Sequence, residues 1–253
     1  MQGLENLGNT CYLNSVIQLL RYSRPLVEKM QDKTSNNDFT NRLIDLLYLY
    51  PDKESLRYVV KHLHEIGFQR FFQSDAHECL LAILDRLYEE MKVDTFRGSF
   101  STKLECCFCR NVSTTNVPFH TVSLSIDKED SIQSCLKRFL DTEIVFYNCE
   151  KCSRRDHKKY TTIHPNDVLF IHLKRFNGEK KLKYDIHISN KILDKYKLVG
   201  VVCHTGTLQY GHYTAVCKKL SGQWLVANDE SVRDIDGIPD KSHLPYILVY
   251  IKS

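Results

Sequence analysis

A chain of 253 residues with 42% hydrophobic content is long enough to bury one large core or two closely packed lobes, which excludes a disordered chain. The 35 basic and 31 acidic residues leave a net charge of only +4, too small and too evenly spread to point to nucleic acid or an anionic membrane. The densest basic runs, Arg154, Arg155, Lys158 and Lys159 and then Lys180, Lys181 and Lys183, read as solvated surface.

No stretch approaches the ~18 consecutive apolar residues of a membrane span, and the N-terminal residues lack a basic start followed by an apolar run. The chain therefore reads as soluble, intracellular in the cytoplasm or nucleus, and without a membrane partner. Ten cysteines in such a chain point to thiol chemistry or metal binding rather than to disulfides.

In chain order, the N-terminal part reads as helical, because apolar positions recur three and four apart and Gly and Pro are sparse. One predicted helix starts near Thr10 and carries Leu13, Val16, Ile17 and Leu20 on a stripe. A second carries Phe39, Leu43, Leu46, Leu47 and Tyr50 and stops at Pro51, and a third runs roughly over 55–66. The fourth begins with Ser74 as its N-cap and buries Cys79, Leu80, Ile83, Leu84, Leu87 and Met91. From Phe100 onward the pattern changes to short alternating or β-branched runs at 121–126, 168–173, 196–202, 213–217, 224–227 and 246–251, separated by turn residues. The last four of these runs have the pattern of an antiparallel sheet. Helices in front and a sheet behind give an α+β fold with a cleft where the two meet.

The segment Gly3-Leu4-Glu5-Asn6-Leu7-Gly8-Asn9-Thr10-Cys11 puts a cysteine at a helix start behind a Gly- and Asn-rich loop. Free N–H groups and the positive end of the helix dipole favour a thiolate there, so Cys11 is a candidate nucleophile, its alternative being a buried structural thiol. Loop N–H groups and the Asn6 amide are placed to hold an oxyanion. A nucleophile needs a base and the base an orienting partner. Tyr210-Gly211-His212-Tyr213 opens one predicted strand, and Trp224-Leu225-Val226-Ala227-Asn228-Asp229 closes the next.

Cys106 with Cys109, and Cys149 with Cys152, form two Cys-x-x-Cys knuckles, a strong signal for a structural zinc site that closes a β-rich excursion. Cys107 is extra, either a spectator or a competitor for the metal. A nucleic-acid zinc ribbon is the weaker alternative, since the adjoining basic patch is small, and a redox dithiol is weaker still because neither pair sits at a strand-to-helix junction.

The run from Gly3 through Cys11-Tyr12-Leu13-Asn14-Ser15-Val16-Ile17-Gln18 resembles the cysteine box of the ubiquitin-specific proteases. Three further segments resemble the same family in the same order. They are Gln73-Ser74-Asp75-Ala76-His77-Glu78, with Ser74 where the family has a second Gln, the strand ending His172-Leu173-Lys174-Arg175-Phe176, and the histidine box around His212.

This resemblance implies a papain-like cysteine protease fold in one catalytic domain over 1–253. It would have a helical thumb over about 1–97, zinc-bearing fingers over 98–162 and a palm sheet over 163–253. Cys11 would be the nucleophile, His212 the general base and Asn228 its orienting partner, with Asp229 supplying part of the charge that an amide lacks. Asp75 would meet a basic residue of the ubiquitin tail, with Gln73 beside it, and Tyr213 would wall the channel for the terminal Gly-Gly. His204, the competing base candidate, reads as a satisfied structural histidine on an apolar strand edge.

The implied reaction is hydrolysis of the bond after the C-terminal Gly of ubiquitin through a Cys11 thioester, with ubiquitin and ubiquitinated proteins as partners, structural Zn2+ as cofactor and the chain acting as a monomer. Two alternatives remain: a protease for another ubiquitin-like modifier, and a ubiquitin-binding scaffold weak in catalysis. Family segments reach from near Met1 almost to Ser253, so a minimal enzyme or a trimmed domain is expected.

Overall fold

The 3.6-residue spacing of apolar side chains does produce helices, and the computed structural model describes them among residues 3–48, 53–178, 180–207, 210–238 and 244–253. Helices α1 (Cys11–Arg21), α2 (Arg24–Met30), α3 (Asp38–Tyr48) and α4 (Lys53–Lys61) come first. A 3-10 turn at Leu63–Ile66 then leads to α5 (Ala76–Met91). The expected stop of the second helix at Tyr50 and Pro51 lies outside the described residues. Cys11 through Leu20 are all buried, so α1 is the central helix, packed against α3, α5 and the sheet.

Helix α5 corrects one expectation. Its N-cap is Asp75, not Ser74: Oδ1 accepts from the N–H groups of His77 at 2.7 Å and Glu78 at 3.0 Å. Both residue types cap well, but only Asp75 has an acidic residue three positions on, which favours the first turn.

The strands are β1 (Gly98–Cys106), β2 (Val112–Phe119), β3 (Thr121–Leu124), β4 (Glu143–Phe146), β5 (Asp156–His164), β6 (Val168–Leu173), β7 (Tyr196–Gly206), β8 (Gly211–Lys218), β9 (Trp224–Asn228), β10 (Ser231–Ile235) and β11 (Leu244–Lys252). Four of them form a projecting antiparallel sheet in the order β2-β1-β5-β4. The large sheet runs β10-β9-β8-β7-β11-β6-β3.

The strands of the chain's last third pair antiparallel, as expected, and one further pair in the sheet is parallel. β3 joins β6 in parallel, because the chain leaves β3, builds α6 (Ile132–Leu140) and the outer strands, and returns in the same direction. Helix α6 was also not foreseen. It is short, capped by the Ser131 hydroxyl on the Ser134 N–H, and buries Ile132, Cys135 and Leu136 against the sheet. Thus β3 and α6 belong to the large sheet although they lie between strands of the projecting one.

Both faces of the large sheet are covered. Along β6, Val168 and Phe170 face the helical core, whereas Leu169, Ile171 and Leu173 face a second core beneath α6. No described helix is long and apolar enough to cross a membrane. The ends of β8 and β9 nearest the helices meet the start of α1, which places the cleft.

Candidate active site

The loop before α1 is shaped by Gly8 at φ 99° and Asn9 at φ 57°, both left-handed. Asn6 organises it, its Oδ1 accepting from the N–H groups of Gly8 at 3.2 Å and Thr10 at 3.1 Å. Thr10, the N-cap of α1, gives no side-chain cap, and its Oγ1 accepts from the Leu7 N–H at 3.0 Å instead. The first N–H groups of α1 therefore remain available beside Cys11, the positions where an oxyanion would be stabilised.

His212 and Asn228 arrive on neighbouring strands. The imidazole Nε2 lies 2.6 Å from Asn228 Oδ1, so Nε2–H donates to the amide oxygen and Nδ1 is left for Cys11. The hydrogen bond to the Cys11 sulfur is the main reason the imidazole is pushed up to about 9, with Asn228 and the Asp229 charge adding to it against the opposing effect of burial. An imidazole that keeps its proton through neutrality beside Cys11 is placed as the acid–base partner of a cysteine nucleophile.

Asp229 stands farther off, its Oδ2 4.0 Å from His212 Nε2. It is at φ 47°, and its carboxylate is tied down by two amides: Asn6 Nδ2 donates to Oδ2 at 2.8 Å and Asn14 Nδ2 to Oδ1 at 2.8 Å. Its backbone oxygen accepts the Leu4 N–H at 2.9 Å. Asp229 thus fastens the segment before Cys11 to the end of β9.

A cleft of about 160 Å³ opens beside Cys11, lined by Tyr12, Gln73, Asp75, Phe176, His204 and Tyr213 among others. Gln73 spans it, with Nε2 donating to the Gly211 oxygen at 3.3 Å and Oε1 accepting from the Gly211 N–H at 3.4 Å. Asp75 Oδ2 accepts from the hydroxyls of Tyr213, at 3.5 Å, and Tyr246. Burial and then the Asp75 charge raise both phenols well above their ordinary value.

His204 departs from expectation. It lies on β7 in the interior of the sheet, not at an edge, and is only 3% exposed. Its Nδ1 has no partner, so it is not a satisfied histidine, and burial pushes its imidazole down to about 4. A neutral ring on the cleft wall, it is not placed against Cys11 as His212 is. Asn14 and Tyr246 were missed. A polar residue three positions after Cys11, on the buried face of α1, was the available signal for Asn14.

At the tip of the projecting sheet Cys106, Cys109, Cys149 and Cys152 bring their sulfur atoms within 4.8 Å of one another. Cys106 and Cys152 sulfurs are 3.6 Å apart, as are those of Cys109 and Cys149. That is far longer than a disulfide and close to the ~3.8 Å edge of a tetrahedron of Zn–S bonds of ~2.3 Å. The donor set therefore fits a thiolate-bound metal, and Cys107 stands outside the cluster.

A family model described as ubiquitin carboxyl-terminal hydrolase matches residues 2–250. The chain belongs to the ubiquitin carboxyl-terminal hydrolase family. This is a family of cysteine-type deubiquitinases, and the curated relatives bear its name. Ubiquitin carboxyl-terminal hydrolase 23 of Arabidopsis thaliana is 28% identical over 99% of this chain, which spans only 35% of that relative's length. Ubiquitin carboxyl-terminal hydrolase 4 of Arabidopsis thaliana is 28% identical over 92% of the chain and 85% of its own length, and hydrolase 12 of Salmo salar 28% over 92% and 82%.

Among solved structures, the SAGA Ubp8/Sgf11/Sus1/Sgf73 DUB module bound to ubiquitin aldehyde aligns with a TM-score of 0.86 and 25% identity, covering all of this hydrolase-family chain and 70% of the matched one. A yeast SAGA DUBm structure aligns at 0.84 with 26% identity, covering 100% and 68%. The fold of this hydrolase is therefore that of the ubiquitin-specific proteases.

Proposed function

We propose that the chain is a thiol-dependent deubiquitinase that hydrolyses the peptide or isopeptide bond after the C-terminal Gly of ubiquitin. The observation that carries this is the Cys11–His212–Asn228 arrangement at the start of α1, with the imidazole hydrogen-bonded to the sulfur on one side and to Asn228 Oδ1 at 2.6 Å on the other.

The Cys11 thiolate attacks the scissile carbonyl, and the oxyanion is met by the N–H groups at the start of α1 and by the second amide hydrogen of Asn6. His212 gives its proton to the departing amine, which leaves a thioester on Cys11. His212 then takes a proton from water, hydroxide attacks the thioester, and the ubiquitin carboxylate departs as the thiol is restored. Asn228 holds the ring throughout, while Asp229 keeps Asn6 and the loop in place. Gln73, Asp75 and Tyr213 line the cleft and are the residues we assign to the ubiquitin tail.

Cys106, Cys109, Cys149 and Cys152 would hold Zn2+ as a structural ion that ties together the two hairpin turns at the tip of the projecting sheet. We read 1–253 as one catalytic domain with a thumb over about 1–97, fingers mainly within 98–162 and a palm over 163–253. All ten cysteines are free thiols, in keeping with a reducing compartment, and we place the protein in the cytoplasm or nucleus, acting as a single chain on ubiquitinated proteins.

Labelling with a panel of C-terminally activated ubiquitin and ubiquitin-like probes tests the reading. Covalent capture of the ubiquitin probe by wild type and none by Cys11→Ala is expected. Preference for another modifier's probe would move the assignment to that modifier, and binding without capture would make the chain a scaffold.

A further inference from the structure

Lys181 belongs to a basic run that the sequence presents as solvated surface, yet its ammonium is turned inward. Its Nζ donates to the backbone oxygens of His204 at 2.9 Å and Gly206 at 3.1 Å. Its own backbone pairs with Phe176, whose ring face lies 6.0 Å from the ammonium. We propose that Lys181 is a positioning residue for the hydrolytic reaction, joining the segment that carries Phe176 to the strand paired with His212 and so fixing the width of the cleft.

Register gives the reason for this placement. His204, Thr205 and Gly206 on β7 stand opposite Tyr213, His212 and Gly211 on β8, so the two carbonyls gripped by Lys181 flank Thr205, the residue paired with the catalytic histidine. On the other side of β7 the described ladder to β11 ends at the pair His204–Leu244. Lys181 donates to the His204 carbonyl at that pair and to the Gly206 carbonyl two residues on.

The segment it brings along is anchored separately. Arg175, fully buried, donates to the oxygens of Leu182 and Tyr184 and to that of Pro245. Phe176 in turn stands edge-on to His204 and Tyr246, and together with His204 it lines the cleft. Removing the Lys181 ammonium would free two carbonyls on β7, the strand paired with the start of the His212 strand, and release Phe176 from one side of the cleft.

Holding a cation there has a cost. Burial first, and then the like charges of Arg175 and Lys183, pull the ammonium down to about 8. A lysine kept in such a place by neutral carbonyls rather than by a carboxylate suits a geometric role better than a stabilising one.

The inference rests on the cleft being the channel for the ubiquitin tail, and the experiment separates the two. On a ubiquitin-fluorophore amide, Lys181→Met is expected to raise KM about tenfold with kcat within about twofold, and Lys181→Arg to recover most of the loss. Alkylation of Cys11 by iodoacetamide is expected to be unchanged in both variants, and hydrogen exchange at Thr205 through Thr207 to quicken in Lys181→Met. Should Lys181→Met not fold, Lys181→Gln, which keeps one donor pair, replaces it with a smaller loss in the same parameter. An unchanged KM, a loss confined to kcat, or alkylation slowed in parallel would overturn the inference while leaving the assigned activity in place. If wild type fails to turn over the ubiquitin substrate, the proposed function falls, and unchanged exchange in Lys181→Met then still overturns the clamp.

Discussion

Asn14 donates its side-chain amide to Asp229 Oδ1 at 2.8 Å, joining the first helix to the end of β9. With Asn6 on the other carboxylate oxygen and His212 4.0 Å away, we assign Asp229 mainly to holding the loop, its charge adding to the imidazole from a distance. Asn228→Ala is therefore expected to lower kcat about 10–100-fold with KM little changed, and Asn228→Asp to remain active because it still accepts from Nε2–H. Asp229→Ala is expected to cost ~1–3 kcal/mol of stability by stranding two amides, with a smaller loss of kcat. Steady-state rates and thermal melts of the three variants decide this, and a near-normal Asn228→Ala beside an inactive Asp229→Ala would reverse the assignment.

The His212 imidazole gives the reaction its alkaline limb. Its folded value, raised to about 9, lies above the ordinary histidine value, so the native site keeps the proton through neutrality and loses it as pH rises through about 9. kcat for an amide substrate is expected to fall above that pH, when the proton for the departing amine is gone. Asn228→Ala removes one of the upward influences, so its limb is expected at lower pH, and Cys11→Ala should return the imidazole furthest toward its ordinary value, read by NMR titration. An unmoved His212 titration in Cys11→Ala would contradict the pairing of His212 with Cys11.

Much of this site was legible because its chemistry is carried by local spacing. Cys11 at a helix start, the two cysteine knuckles and the strand over Val168–Leu173 each announce themselves within a few residues. What was not legible depends on partners far away in the chain. The parallel pairing of β3 with β6 needs a crossover, and the partner of Asn14 lies 215 residues on. Helix α6, nine residues long, has its Ile132, Cys135 and Leu136 stripe at helical spacing but is embedded among strands. Lys181 looked like its neighbours because nothing in a run of lysines tells which one the fold turns inward.

Metal removal is expected to act on the projecting sheet first. Its outer strand β2 is exposed along nearly its whole length, so little apolar burial holds it, and the four sulfurs at the tip of the sheet do more than packing can. Elemental analysis should give one zinc per chain, falling to none in a Cys149→Ser, Cys152→Ser double variant. Chelation should raise hydrogen exchange within β1, β2, β4 and β5 before it reaches α1 and α5, and protein purified without chelator but free of metal would count against the site.

Asp75 poses the question of whether one carboxylate both builds the fold and reads the substrate. Oδ1 takes two helix N–H groups and Oδ2 two tyrosine hydroxyls, which uses the acceptor directions a bidentate guanidinium would need. A basic residue of the ubiquitin tail would then feel Asp75 as a charge at a distance. Asp75→Ala is expected to cost ~1–2 kcal/mol through the lost cap, and more where it leaves Tyr246 without an acceptor. Asp75→Asn keeps a capping oxygen and removes the charge, so its melting temperature is expected to stay near wild type while KM for a ubiquitin substrate rises less than about threefold. A rise beyond about tenfold at unchanged stability would show that the substrate displaces a tyrosine and pairs with the carboxylate directly. Tyr246→Phe with Asp75 retained separates the two cases, since loss of the hydroxyl frees Oδ2 for a guanidinium: KM is expected to stay unchanged, and to fall where direct pairing occurs.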